Sequence, residues 1–380
     1  MVERPAVNRM AIGSNPILAS IRRTVSGRNQ LAVNQSPLAM MVRIHPYGPT
    51  HVHYLCVFTI TEQGDFMDIK GKKIMVIGGA GFIGSHVVEE LLKEDVGQVV
   101  IYDNFLRGST DNIEKALKDP RCYYLTGDIE SRDGLIRDMR GFDAVIHLAA
   151  RWLLDCHEYP DKAFYTNVQG TFNVLQACVY NKIERLTFSS SASVYGNALY
   201  EPMDEEHPYN NETFYGATKI AGEHMFKAYH HRYGLNGVAL RYMNVYGPRQ
   251  HNDGAYTGVI TKVLDSIEKG ERPVIYGDGK QAYDFVYVTD VAKANVCALK
   301  SGVPFGFYNV GRGIKTSINT VVDEILRLTG SNLKPRCETG VSFVTNRICN
   351  PMKAFLDLGF AWDTDLTLGL RRLIEWRESH

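Results

Sequence analysis

The stretch that decides the fold is IMVIGGAGFIG, residues 74–84. The run from Ile74 to Gly78 predicts a buried strand, and glycines at 78, 81 and 84 follow with helix-like sequence behind them. Glycine at these positions permits a tight turn, close approach of the backbone to a pyrophosphate and close packing of the helix on the strand. Since the amino end of that helix would face the anion, the stretch predicts a dinucleotide-binding turn.

Asp103 supplies context that a glycine triplet alone lacks. It stands 19 residues after Gly84, at the end of a second predicted strand. A carboxylate there accepts hydrogen bonds from the adenosine ribose, and it would repel the extra phosphate of NADP. We therefore predict NAD as the cofactor. The predicted contacts in this region are Gly78, Gly81, Phe82, Ile83, Gly84, Asp103 and Asn104.

Strand-like and helix-like runs alternate after Met67, which is typical of a parallel sheet covered on both faces. The predicted strands are Ile74 to Gly78, Val99 to Tyr102, Cys122 to Leu125, Ala144 to Leu148, Leu186 to Ser190 and Val238 to Arg241. One continuous helical stripe is predicted through Phe164, Val168, Phe172, Leu175 and Val179. The fold class is therefore α/β, a doubly wound sheet of the Rossmann type with a smaller carboxyl-terminal α/β substrate domain. We expect residues 67–250 to be mainly the NAD-binding domain, which also carries the catalytic residues, and residues 251–380 mainly the substrate domain.

Composition excludes several classes of protein. With 44% apolar residues and a formal net charge of zero, the chain can bury a large core but has no long-range field to gather nucleic acid or an anionic membrane. It has no apolar run long enough for a membrane span, and we predict no metal site. Its seven cysteines form no Cys-x-x-Cys pair, which favours buried single thiols in a reducing, cytoplasmic compartment.

Residues 1–66 differ from the rest of the chain. Between Met1 and Thr61 there are six arginines, no lysine and one acidic residue, Glu3. Such a composition is found in organelle transit peptides. We favour the interpretation that residues 1–66 are an over-long start and that Met67 is the natural amino terminus. A disordered or docking extension is the third interpretation. On each of these readings the segment is not part of the fold.

Tyr215 and Lys219 are predicted to be catalytic. They are four residues apart in Thr213 to Arg232, which lacks proline and is predicted to be helical, so their side chains share a face. An ammonium near a phenol favours the phenolate and lowers the tyrosine pKa, which makes tyrosine a usable acid and base. The same substrate oxygen that exchanges a proton with Tyr215 could also contact the hydroxyl of Ser191, which lies at the end of the fifth strand.

Seven further motifs follow in order along the chain. They are Gly127-Asp128-Ile129, His147-Leu148-Ala149-Ala150, Asn167-Val168-Gln169-Gly170-Thr171, Ser189-Ser190-Ser191, Tyr215-Gly216-Ala217-Thr218-Lys219, Asn244-Val245-Tyr246-Gly247-Pro248-Arg249 and Asp284-Phe285-Val286-Tyr287-Val288-Thr289-Asp290-Val291-Ala292. With the spacing Gly-x-x-Gly-x-x-Gly, they make the chain resemble the extended short-chain dehydrogenase/reductases, in particular the NAD-dependent epimerase/dehydratase family. The resemblance runs from about residue 72 to the carboxyl end.

The resemblance implies roles for further residues. It assigns cofactor contacts to Asp128, Ile129, Leu148, Ala149, Ala150, Asn167, Ser189, Tyr215, Lys219 and Tyr242. It assigns substrate contacts to Ser191, Asn244, Arg249 and Arg347. The family often has arginine where this chain has Tyr283, and aspartate where it has Asn350, so two expected phosphate-site residues differ. The resemblance also implies a homodimer, in which helices near 162–181 and 213–232 pair with their copies.

The strand-five motif favours one reaction. Family dehydratases and decarboxylases carry acidic residues at the positions of Ala192 or Ser193, so this chain most resembles the UDP-glucose 4-epimerase group. That group oxidises a UDP-linked sugar to a transient 4-keto sugar and then reduces it on the other face. The alternatives are a keto-sugar reductase, a dehydratase, an epimerase at another carbon, or a non-catalytic NAD-sensing module.

Overall fold

The structure is a computed structural model that describes residues 67–250, 258–339 and 346–380. It also describes two short antiparallel strands, Pro46–Tyr47 and Val52–His53. Contacts divide the chain into two units, residues 1–63 and residues 64–380. Apart from the two short strands, the first 66 residues lie outside the described part, and so do our predictions about them and about Cys56. Among the described residues, no helix is long and apolar enough to cross a membrane.

Fourteen strands follow Met67 in the described residues. They are β1 (Lys73–Ile77), β2 (Gln98–Asp103), β3 (Cys122–Thr126), β4 (Ala144–His147), β5 (Arg185–Ser191), β6 (Gly237–Tyr242), β7 (Asn244–Tyr246), β8 (Val274–Tyr276), β9 (Ala282–Tyr283), β10 (Phe285–Tyr287), β11 (Phe305–Val310), β12 (Thr316–Ser317), β13 (Arg336–Glu338) and β14 (Asn346–Arg347). The six predicted strands are confirmed, each end within one residue of its predicted position.

Seven parallel strands form the main sheet, in the order β11-β6-β5-β4-β1-β2-β3. The chain first builds outward from β1 to β3 and then restarts on the other side of β1 with β4. This reversal opens a crevice at the carboxyl ends of β1 and β4, where ligands bind in doubly wound folds. The predicted α/β class of the Rossmann type is confirmed.

Helices cover both faces of this sheet. The α-helices are α1 (Phe82–Leu92), α2 (Thr110–Ile113), α3 (Arg132–Asp138), α4 (Leu153–Glu158), α5 (Pro160–Ala163), α6 (Thr171–Tyr180), α7 (Phe214–Tyr233), α8 (Val259–Glu268), α9 (Val288–Lys300), α10 (Ile318–Thr329), α11 (Met352–Leu358) and α12 (Leu366–Ser379). Alternate residues of β1 serve the two faces, since Ile74 and Val76 join one buried cluster and Met75 and Ile77 another. Both strand faces are therefore apolar, as expected for a parallel sheet.

The stripe predicted from Phe164 to Val179 is not one regular helix. Residues Phe164–Gly170 form a π-helix, and only from Thr171 does α6 continue as an α-helix. A π-helix has more residues per turn, so it rotates the buried face relative to a 3.6-residue period. Phe164 is consequently 47% exposed, whereas Asn167 turns inward and is buried. The prediction of a continuous apolar stripe was wrong for this turn.

The carboxyl-terminal residues build three small sheets beside the main one. In the first, β7 pairs with β10; in the second, β9 lies between β12 and β14; in the third, β8 pairs with β13. Residues of α8, α10 and α12 pack in the apolar core of this region. The six cysteines of the described residues are free thiols, as predicted, but only four of them are buried, since Cys297 is half-buried and Cys337 is exposed.

Candidate active site

The glycine loop after β1 forms an open cradle at the crevice. Gly78 has a φ of +81°, which favours glycine, and a Cβ atom there would lie 2.6 Å from the Ala149 nitrogen. A Cβ atom on Gly84 would lie 2.1 Å from the Gly78 oxygen. Glycine at these two positions therefore lets the loop pack closely against the loop after β4 and lets α1 start close to the turn.

The amino end of α1 faces this cradle. The helix begins at Phe82, and Gly81 before it has no side chain with which to cap the first backbone N–H groups. Uncapped N–H groups at a helix amino end are donors for phosphate, and the helix dipole adds to their attraction for an anion. The predicted contacts Phe82 and Ile83 form the first turn, so the cradle and the helix fit the diphosphate of NAD.

Asp103 lies beside this loop at the end of β2. Its carboxylate is buried and accepts hydrogen bonds from the backbone N–H groups of Ala80 (3.0 Å) and Phe105 (2.9 Å). Burial raises the pKa of Asp103 above its ordinary value. The neighbouring Asn104 donates to Asp128 at 2.8 Å and so joins the loops after β2 and β3. Both loops carry residues that we predict to contact the adenosine half of NAD.

Lys219 and Tyr215 lie on one face of α7, as predicted. The Lys219 ammonium donates to the Ser189 carbonyl at 2.8 Å and lies 5.7 Å from the centroid of the Tyr215 ring. Ser191 ends β5, and its hydroxyl interacts with the Tyr215 hydroxyl so as to lower the pKa of that tyrosine. Its own hydroxyl also accepts from the Ser193 backbone N–H, which holds it at the start of the next turn. The structure thus brings the three predicted catalytic residues together.

Burial acts on the two titrating groups in opposite directions. It raises the pKa of Tyr215 to about 12, although the hydrogen bond from Ser191 works against this change. It lowers the pKa of Lys219 to about 8. Our expectation of a lowered tyrosine pKa is wrong for the protein without its cofactor, because the desolvation of the phenolate outweighs the favourable interaction with Ser191.

Asn167 joins the π-helix to the loop after β4. Its side chain accepts from the Arg151 backbone N–H at 2.7 Å and donates to the Arg151 carbonyl at 3.0 Å. It also approaches the Thr218 hydroxyl at 3.2 Å and the Cys156 sulfur at 3.4 Å. Asn167 therefore ties α7, next to Lys219, to the loop that carries Ala149 and Ala150. Arg151, Cys156 and Thr218 were missed from the sequence, because nothing in their spacing points to Asn167.

Tyr242 ends β6 on the other side of the site. It is buried, and its hydroxyl donates to Asn295 of α9 at 2.9 Å. The Asn295 amide in turn donates to the Val291 carbonyl at 2.8 Å within its own helix. Asn295 was missed because it is a lone polar residue 53 positions from Tyr242. It fixes the ring of Tyr242, the cofactor contact implied by the resemblance.

The predicted substrate residues fall into two groups. Asn244 and Arg347 belong to adjoining strands that meet at Asp284, whose backbone N–H donates to the Arg347 carbonyl while its own carbonyl accepts from Asn244. Arg347 reaches towards the Gly196 carbonyl at 3.5 Å, and its buried Nε has no partner among the described residues. Arg249 points elsewhere, since its guanidinium forms an ion pair with Glu89 of α1.

A buried ion pair supports α7 one turn beyond Lys219. Arg241 of β6 and Glu223 of α7 form two hydrogen bonds of 2.8 Å, with side chains 2% and 0% exposed. Ser190 of β5 and Tyr209 also donate to the Glu223 carboxylate. This network connects the catalytic helix to both strands whose ends carry Ser191 and Tyr242.

Comparison with known proteins adds to this geometry. The family model described as the NAD-dependent epimerase/dehydratase family matches residues 74–311, more than half of the chain. The human protein named dTDP-D-glucose 4,6-dehydratase is 30% identical over 317 residues, which cover 80% of this chain and 89% of that protein.

Solved structures are also similar. A UDP-N-acetylglucosamine 4-epimerase from Methanobrevibacter ruminantium, in complex with UDP-N-acetylmuramic acid, is 32% identical with a TM-score of 0.77, covering 82% of this chain and 99% of that one. The UDP-glucose 4-epimerase of Thermus thermophilus, in complex with NAD, is 31% identical with a TM-score of 0.72, covering 80% and 99%.

Proposed function

Because the chain belongs to the NAD-dependent epimerase/dehydratase family, we propose that it is a UDP-sugar 4-epimerase that works through a transient 4-keto sugar. The chain is an enzyme of this nucleotide-sugar family, and NAD is its cofactor. The 4-epimerase assignment rests on one observation. Ser191, Tyr215 and Lys219 lie together, and the neighbouring residues Ala192 and Ser193 carry no carboxyl group.

Tyr215 and Lys219 have different roles in the proposed proton transfer. Tyr215, whose phenolate is favoured by the neighbouring Ser191 hydroxyl, removes the proton from the sugar 4-hydroxyl and later returns it. The ammonium of Lys219 supports the negative charge on the phenolate while that proton is held. Held by the glycine cradle and Asp103, NAD would supply the acceptor for the hydride from carbon 4 and, once reduced, the hydride donor to the opposite face of that carbon, and its nicotinamide would add positive charge to the site. Asn167 holds the loop after β4 against α7, because it bonds to the Arg151 backbone and to Thr218.

A dehydratase is the second candidate, because the human relative carries that name. Elimination of water from a 4-keto sugar needs a base for the neighbouring carbon-bound proton and an acid for the leaving hydroxyl. Here Ala192 is a buried methyl, and Ser193 is engaged with Ser191 at 3.2 Å between their hydroxyls. Neither residue supplies a carboxyl group, so the geometry favours return of the keto sugar to an alcohol.

Incubation with a panel of nucleotide sugars, followed by NMR, tests the proposal. The panel contains UDP-glucose, UDP-N-acetylglucosamine, UDP-glucuronic acid and dTDP-glucose. We expect at least one UDP-sugar to give an equilibrium mixture of two sugars that differ only at carbon 4. A 4-keto-6-deoxy product from any member would contradict the proposal and favour the dehydratase.

We also infer that the enzyme is a homodimer. Four large aromatic residues on the π-helix, α6 and α7 are 47% to 67% exposed, so these helices present apolar side chains that a partner could cover. They are Phe164, Tyr165, Tyr180 and Tyr233. A second copy that pairs these helices would bury them. Sedimentation should show a dimer at micromolar concentration, and a monomer would contradict this inference.

A further inference from the structure

Two loops on opposite sides of the glycine cradle touch each other. The loop after β2 carries Arg107 and the loop after β4 carries Trp152. The Arg107 guanidinium carbon lies 4.4 Å from the centroid of the Trp152 ring, which is the geometry of a cation–π contact. Both side chains are partly buried.

Each of these loops is packed against the cradle itself. On one side, the Ser109 backbone N–H donates to the Ala80 carbonyl at 3.1 Å, and a Cβ atom on Gly108 would lie 2.8 Å from the Ala80 side chain. On the other side, a Cβ atom on Gly78 would lie 2.6 Å from the Ala149 nitrogen. With both loops fixed to the cradle, the contact between Arg107 and Trp152 spans the crevice that the cradle floors.

Trp152 is oriented by its own neighbours. Its indole N–H donates to Asp155 of α4 at 3.0 Å, and Arg151 lies 3.7 Å from the other oxygen of that carboxylate. Asp155 is therefore engaged by both Trp152 and Arg151, and its hydrogen bond fixes the orientation of the indole ring. The π-face of a fixed indole restricts where a guanidinium rests, so Trp152 sets the position of the Arg107 charge.

We propose that Arg107, positioned by Trp152, is a further cofactor-binding residue whose guanidinium lies across the crevice and binds the diphosphate of NAD. In this arrangement the uncapped N–H groups of α1 and the guanidinium of Arg107 would hold the diphosphate together. Guanidinium pairs well with phosphate oxygens because its N–H donors are planar and always charged. The pair of side chains must separate before NAD leaves, so it slows dissociation of the cofactor.

The test measures how long the full-length protein retains labelled NAD during a chase with unlabelled NAD. Arg107→Gln keeps a polar chain but removes the charge, and we expect it to speed dissociation about tenfold to a hundredfold, the scale of one charge-assisted hydrogen bond. Arg107→Lys should fall between Arg107→Gln and the wild type, since it keeps the charge without the planar fork. Trp152→Ala should act in the same direction, and Trp152→Phe, which keeps a ring, should act less.

A matched control comes from α4 and α5. The Lys162 ammonium lies 4.7 Å from the Tyr159 ring centroid, so Tyr159→Ala removes a similar contact outside the crevice. It should leave NAD retention unchanged. Higher salt should speed release from the wild type more than from Arg107→Gln, because screening weakens an ion pair that the variant lacks.

Binding of cofactor fragments separates a diphosphate contact from a displaced loop. Arg107→Gln should weaken ADP-ribose and leave adenosine unaffected. Equal weakening of both fragments, or wild-type NAD retention in a folded Arg107→Gln protein, would overturn the proposal. These measurements use no sugar, so the proposal can fail while the epimerase assignment stands, and the reverse also holds.

Discussion

At the scale of single residues, burial of Tyr215 and Lys219 sets the protonation state of the site before the cofactor binds. The pKa of Tyr215 is about 12 and that of Lys219 about 8, so near neutral pH the protein without NAD holds a phenol beside an ammonium. Proton abstraction needs the phenolate. The positive charges of Lys219 and of bound cofactor must therefore overcome the desolvation that the site imposes on Tyr215.

Tyr215→Phe removes the hydroxyl that carries the proton and keeps the ring. We expect NAD to remain bound, because the diphosphate cradle lies on other elements, and the rate of epimerisation to fall by on the order of a hundredfold or more. Steady-state kinetics together with the NAD content of the purified variant measures both. Near-normal turnover would remove Tyr215 from its assigned role.

Lys219 is expected to lower the stability of the protein without NAD. Its pKa falls on folding from 10.5 to about 8, so below pH 8 the folded state pays for a buried charge that the unfolded state carries in water. This difference corresponds to roughly 3 kcal/mol. Lys219→Met should therefore raise the free energy of unfolding at pH 7, and the gap should close as pH rises from about 8 towards 10.5.

Urea denaturation of the cofactor-free proteins across this pH range measures the effect. A variant that is less stable than the wild type at pH 7, or a gap that does not depend on pH, would contradict a destabilising Lys219 charge.

Site residues could be predicted from the sequence where they belong to a local motif with a regular spacing. The glycines of the cradle, Asp103, Ser191 and the pair Tyr215 and Lys219 lie on the predicted elements, and their roles in the site stay predictions. Asn295 could not be found, because it reaches Tyr242 only after α9 has packed beside β6. The ion pair of Arg249 with Glu89 spans 160 positions and has no local signal either, and the assignment of Arg249 to the substrate stays a prediction.

At the scale of elements, the π-helix shows where periodicity fails. A stripe spaced for an α-helix predicted Phe164 on the buried face, yet the wider turn places Asn167 there instead. Sequence spacing could not reveal this, because the gain comes from four long-range contacts of the Asn167 side chain with Arg151, Thr218 and Cys156. Polar contacts at the site thus outweigh the regular helix period, as is common where π-helical turns occur.

Glu223 anchors α7 and should matter strongly for stability. Glu223→Gln leaves the buried Arg241 guanidinium without its counter-charge, and removal of one partner of a buried ion pair costs about 3–5 kcal/mol. Urea denaturation measures this loss. Glu114→Gln is the control, since Glu114 and its partner Lys118 are 74% and 71% exposed and such surface pairs contribute about 0–1 kcal/mol. Equal losses in the two variants would contradict the anchoring role.

At the scale of the whole molecule, the main sheet explains why the site forms where it does. The alternating strand-like and helix-like runs sufficed to predict six of its strands, because each is a short apolar run between helical segments. The seventh, β11, was not predicted: it follows a region rich in glycine and proline, and its place beside β6 depends on pairing across the sheet. The division into an NAD-binding and a substrate domain stays a prediction.

Removal of residues 1–66 is expected to leave NAD binding and turnover unchanged. Every residue that we assign to the site lies between Gly78 and Arg347, and β1 begins at Lys73. Thermal unfolding with and without added NAD, on the full and the shortened chain, measures the effect. Loss of soluble, NAD-binding protein on truncation would show that the segment belongs to the fold.

The central claim is that a hydride leaves carbon 4 of a UDP-sugar and returns to the same carbon. The most direct measurement is NMR of the sugar product after turnover in deuterated water. We predict inversion at carbon 4, no carbon-bound deuterium and no net consumption of NAD, because Ala192 and Ser193 offer no carboxyl group to exchange a neighbouring proton. Deuterium at carbon 3 or carbon 5, or a 4-keto-6-deoxy product, would contradict the account.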